Sequence, residues 1–211
     1  MHGGFGHIFF NMFAVWMFGS VLENYWGPKR FLVYYMITGV GAILIQMLLM
    51  YFSISSAQEA INAYLTNPTP SDLELVLTGH FKGYYNTDVV STFLHDFYNN
   101  PKSPVLLQQS NAMINELLTF KMDIPTVGAS GAIFGILLAF GMCFPNSLIY
   151  VYFAIPIKAK WFVIFYGALE LYSGLANNPG DNVAHFAHLG GMLFGFFLIL
   201  FWNKKIKGKF Y

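Results

Sequence analysis

No charged residue occurs between Arg30 and Glu59, and the stretch from Phe31 to Ile54 is almost wholly apolar. A helix needs about 20 such residues to cross the hydrocarbon core of a bilayer. In lipid, every backbone amide and carbonyl must find its partner within the protein, which leaves only helices and closed barrels. Four more runs have the same character: Phe5 to Leu22, Ser130 to Phe144, Trp161 to Leu175, and Val183 to Trp202. Pro145-Asn146 breaks a charge-free stretch that extends from Ile124 to Ile157, and Glu170 interrupts the fourth run. The chain of 211 residues is 56% hydrophobic and only 10% charged, against about 25% charged in an average globular protein. The fold class expected is an all-α, polytopic helical membrane bundle with five spans. Cys143 is the single cysteine, which excludes an intrachain disulfide or a cysteine-based metal framework.

Residues 55–123 differ in kind. They hold polar helical pieces at Ser56 to Leu65, Ser71 to Thr78 and Val105 to Lys121, separated by Asn67-Pro68, Thr69-Pro70 and Asn100-Pro101. Such Pro-containing pairs mark turns. The organisation expected is therefore a first part of two spans over 1–54, an extramembrane helical insertion over 55–123, a second part of three spans over 124–203, and a basic tail over 204–211. The insertion reads as a solvated cap in preference to a substrate-recognition element.

Lysine and arginine set the orientation. Lys29, Arg30, Lys158, Lys160, Lys204, Lys205, Lys207 and Lys209 all fall on one side of an alternating five-span topology, whereas the insertion holds seven acids against Lys82, Lys102 and Lys121. The basic side, with the C-terminus, is expected in the cytoplasm. The insertion and the chain start then face outward.

Polar groups inside spans are costly and point to function. Three clusters share the outer end of this topology: His2, His7 and Asn11; Ser130 within Gly128-Ala129-Ser130-Gly131; and His185 and His188 before Gly191 and Gly195. His7 and Asn11, four apart, share a helix face. Gly131 with Gly135, and Gly191 with Gly195, are small-xxx-small pairs that let helices approach closely. Helices packed through them would bring Ser130 to His188, a base able to take the hydroxyl proton. The His7 ring, the Asn11 amide and the Ser130 backbone N–H would be donors for an oxyanion.

Each residue alone has a plainer account: a serine bonded to a carbonyl, a structural histidine, a glycine pair that only packs. A metal held by His2, His7, His185 and His188 is a further alternative, although the only acid near them in sequence is Asp181. A transporter would need polar groups along a path through the bilayer, and here they gather at one end. Glu170 is the exception, for which pairing within the bundle is the plain account. The stretch Ser173 to Asn182, containing Gly174, Pro179 and Gly180, is expected to form a mobile cap before His185.

These residues together resemble the rhomboid family of intramembrane proteases. His2, His7 and Asn11 meet its His-x4-His-x3-Asn signature; Gly128, Ser130 and Gly131 its Gly-x-Ser-Gly motif; Ala187, His188, Gly191 and Gly195 its Ala-His-x2-Gly-x3-Gly pattern. Gly19, Glu23 and Gly27 also look like the family, and the similarity covers roughly 1–54 and 124–203. The resemblance implies a serine endopeptidase with Ser130 as nucleophile and His188 as general base, a dyad without a carboxylate. It implies an oxyanion hole of His7, Asn11 and the Ser130 amide, and Phe134 stacked on the catalytic histidine. His2, Gly128, Gly131, His185, Gly191 and Gly195 would support the site. Its implied partners are single-pass transmembrane protein substrates and membrane lipid, with no nucleic acid, cofactor or metal, and the expected compartment is a bacterial inner (plasma) membrane. The family core has six spans and this chain opens at what would be the second, so an N-terminally shortened reading is expected. A non-catalytic relative that escorts membrane clients is the alternative; such relatives typically lose the serine or the histidine, and both are present here.

Overall fold

The computed structural model describes residues 4–123, 129–151, 154–176 and 184–207. The elements in order are α1 (Phe5–Ala14), a π-helical turn (Val15–Gly19), α2 (Ser20–Trp26), α3 (Pro28–Thr66), α4 (Pro70–His80), α5 (Thr87–Asn99), α6 (Pro104–Met122), α7 (Ala129–Cys143), β1 (Leu148–Val151), β2 (Ile155–Lys158), α8 (Ala159–Ala176) and α9 (His185–Lys207). The fold is an all-α helical membrane bundle, with one small antiparallel hairpin that pairs Leu148 with Lys158 and Val151 with Ile155. Contacts divide the chain into two units, the second beginning at Leu48 and taking in the insertion.

The first unit is a membrane bundle. Phe5–Trp26, Pro28–Thr66 and His185–Asn203 are long and apolar enough to cross a bilayer, and α7 is apolar but shorter. The short length of α7 follows from its position. Ser130, Gly131, Ala132, Ile133, Gly135, Ile136, Leu137, Ala139, Phe140 and Gly141 are all buried. A helix wrapped by protein does not have to match lipid thickness. Around it the pattern inverts: Phe5, Phe10, Trp16 and Met36 of the first and second spans, Phe165 and Tyr172 of α8, and Phe197 of α9 are exposed. Apolar side chains on the outer surface suit a hydrocarbon solvent. At the basic end, the Arg30 guanidinium lies 4.2 Å over the Trp202 ring, and Trp26 packs between Trp202 and Tyr34. Aromatic and basic residues gather in this way at a membrane interface.

Close helix packing has a visible cause. A Cβ on Gly191 would overlap the Gly131 carbonyl oxygen, and one on Gly131 would overlap the Ala42 side chain and lie 2.9 Å from the Ala187 oxygen. Helices α7 and α9 therefore meet backbone to backbone, with the Ala42 side chain of α3 closing on Gly131. The two glycine pairs do not face each other throughout, however. A Cβ on Gly135 would come 2.7 Å from Thr38, and one on Gly195 would overlap the Tyr34 hydroxyl. Both of those residues are on α3, and Tyr34 donates its hydroxyl proton to the Gly135 carbonyl at 2.8 Å.

The second unit has a core of Ala57, Ile61, Tyr64, Leu73, Leu77, Phe81, Phe97, Ile114 and Leu118, among others. Helix α3 runs unbroken for 39 residues, so the piece expected at Ser56 to Leu65 is its continuation. Thr69 and Ser103 cap α4 and α6 through their side chains, each followed by a proline at the first helical position, where proline costs no hydrogen bond. Helix α5 was not anticipated; Asn86 caps it by accepting from the Asp88 and Val89 amides. The Lys121 ammonium donates to the His80 carbonyl at 2.9 Å, satisfying the end of α4, and burial holds its pKa below the usual lysine range.

Candidate functional site

Ser130 is the second residue of α7, so its amide is among the first four of that helix, which have no intrahelical acceptor. His188 lies in the first turn of α9, three residues before Gly191. The contact of Gly131 with Gly191 brings the two helix starts together. The Ser130 hydroxyl lies 3.0 Å from His188 Nε2, and the two residues are 6% and 7% exposed.

Besides Ser130, two neighbours fix the imidazole. The Phe134 ring lies flat against it, with centroids 4.0 Å apart and planes 9° from parallel; Tyr166 in turn packs on Phe134. Glu170 of α8 is buried, and its Oε2 accepts from His188 Nδ1 at 2.8 Å and from His185 Nδ1 at 2.7 Å. A carboxylate accepts and does not donate, so both rings carry a proton on Nδ1. The lone pair of His188 Nε2 then faces the Ser130 hydroxyl, the tautomer a general base requires.

His7 is half-buried on α1, a helix packed against α7. Asn11, one turn on, has its Nδ2 buried with no hydrogen-bond acceptor among the described residues. His2 and Gly128 lie outside the described residues, as do positions 177–182 of the expected cap. Ser173 to Ala176, read as the start of that cap, are instead the last turn of α8. Among the described residues, the donors able to share a metal are Glu170, His185 and His188, whose ligand atoms lie within 4.8 Å of one another. The grouping excludes His7 and brings in Glu170. Glu170 is the residue sequence reasoning undervalued: an acid inside an apolar span was the available signal.

The fold and this geometry define a class: a helical integral membrane protein with a serine–histidine–carboxylate array buried in its bundle. The chain matches the rhomboid domain over residues 1–66 and 102–205, and it belongs to the rhomboid family. The match extends past 1–54 and 124–203 to take in all of α3 and α6, leaving 67–101 and 206–211 outside it. Comparison with curated proteins and with solved structures finds no match.

Proposed function

We propose that this chain is an intramembrane serine endopeptidase in which Ser130 is the nucleophile and His188 the general base. The observation that carries the reading is the buried 3.0 Å contact between the Ser130 hydroxyl and His188 Nε2. The hydroxyl proton passes to Nε2 as Oγ bonds to the scissile carbonyl carbon, and the carbonyl π pair moves onto its oxygen. That oxyanion is met by the Ser130 amide and by donors from His7 and Asn11. The Asn11 Nδ2, buried with no acceptor among the described residues, supports this role. Each such donor is worth about 10²–10³ in turnover. On collapse the C–N bond breaks and the leaving amine takes the proton from Nε2, leaving an acyl ester on Ser130. Water, deprotonated by His188, then releases the acid and restores the serine.

The substrates are single-pass membrane proteins, cut within or just outside the outer part of the spanning helix. Small helix-breaking residues there expose a peptide bond that an intact helix keeps hydrogen-bonded. The charge distribution supports a cytoplasmic C-terminus; the bacterial inner membrane is the compartment proposed with the family reading. A fluorophosphonate probe tests the nucleophile. The wild-type chain is expected to label, and Ser130→Ala and His188→Ala to lose labelling; a Ser130→Ala chain that labels like wild type would overturn the assignment.

A further inference from the structure

Glu170 would be costly in a membrane helix if left unpaired, since a buried carboxylate without partners loses its hydration. Here it is buried, and one of its oxygens receives two imidazole N–H groups at 2.7 and 2.8 Å. The two rings stand perpendicular, with centroids 6.5 Å apart. The His185 bond holds the carboxylate aimed at His188. His188 is thereby held at both nitrogens and on one face: Nδ1 by Glu170, Nε2 by Ser130 and the face by Phe134.

We propose that Glu170 is a positioning residue for the reaction: a carboxylate, steadied by His185, that fixes the tautomer of His188 and stabilises the imidazolium formed when Ser130 gives up its proton. The proposal rests on the protease reading above. It extends a serine–histidine pair to a Ser130–His188–Glu170 array assembled from three different helices. The charge on Glu170 acts when His188 becomes positive, and that occurs after substrate is bound. Its removal therefore lowers kcat and leaves KM nearly unchanged.

The test uses the full chain in vesicles with a fluorogenic transmembrane-segment peptide. Active sites are counted by fluorophosphonate labelling taken to completion, so that kcat refers to folded, labelled protein. Glu170→Gln keeps the shape and removes the charge; kcat per site is expected to fall by about 10²–10⁴, the upper figure being the loss for the analogous Asp-to-Asn exchange in a soluble triad. KM should stay within about threefold. Glu170→Asp, which keeps the charge, is expected to recover at least about a tenth of wild-type kcat. Three results would overturn the proposal. The first is Glu170→Gln turning over like wild type while Ser130→Ala is dead, which leaves the protease reading standing. The second is fewer labelled sites with unchanged kcat per site, which assigns Glu170 a structural role only. The third is a purified chain that carries stoichiometric divalent metal, lost in Glu170→Gln. Wild-type activity in Ser130→Ala would remove the protease reading itself, and this proposal with it.

Discussion

The contact of Phe134 with His188 is the simplest residue-scale determinant of the site. An imidazole held flat at 4.0 Å against a benzene ring cannot swing about its χ2 axis, so its Nε2 stays aimed at the Ser130 hydroxyl. Aromatic pairs of this kind contribute about 0.5–1.5 kcal/mol beyond their buried area. Converted at about 1.4 kcal/mol per decade, Phe134→Leu is expected to lower kcat by about two- to tenfold. Phe134→Tyr, which keeps the ring, should remain close to wild type. A peptide-cleavage assay with purified variants checks both; an unchanged Phe134→Leu would remove stacking from the account. Ser130 and His188 were legible because each sits in a short motif at the end of an apolar run, whereas Phe134 was named only through the family resemblance. Glu170 was visible as an acid in a span but not as a partner. Its imidazoles are 15 and 18 positions away, beyond a connection whose geometry no local spacing specifies.

At the scale of elements, glycine decides which helices touch. The overlap awaiting a Cβ at Gly191 is with the Gly131 backbone, not with a side chain that could rotate aside. Gly191→Ala must therefore push α9 from α7, at a cost of about 1–3 kcal/mol for overpacking. The same shift lengthens the Ser130–His188 contact. Cleavage is expected to fall by about a hundredfold, in line with the cost of small misplacements at reacting atoms. Gly79→Ala, where a Cβ meets nothing within 4 Å, should leave cleavage unchanged. Equal activity in Gly191→Ala and wild type would contradict the packing argument. Sequence spacing identified the small residues but not their partners: Gly135 and Gly195 meet Thr38 and Tyr34 of α3, a choice set by three-body packing. Helix α5 was missed although Asn86 and Asp88 mark its start, because its buried positions are only Val90 and Phe97. The hairpin was missed because Leu148–Val151 reads as part of a charge-free run with no alternation. The π turn at Val15–Gly19 has no proline to announce it.

For the whole molecule, the class was legible from solvent: long uncharged runs admit only membrane-spanning structure, and the helices appear where those runs lie. The extent of α7 was legible as well, since Ala129–Cys143 lies within one residue of the run Ser130 to Phe144; that of α3 was not, because the helix continues without a break past Ile54. The rhomboid match over residues 1–66 and 102–205 agrees with that reading of the bundle. We propose that Ser130 and His188 cut a membrane-embedded peptide bond. The most direct test places the full chain and a single-pass membrane protein in the same vesicles, with the products mapped by mass spectrometry. One cut is expected within or just outside the outer part of the substrate's spanning helix, absent with Ser130→Ala. No cut by the wild-type chain, or an undiminished cut by Ser130→Ala, would contradict it.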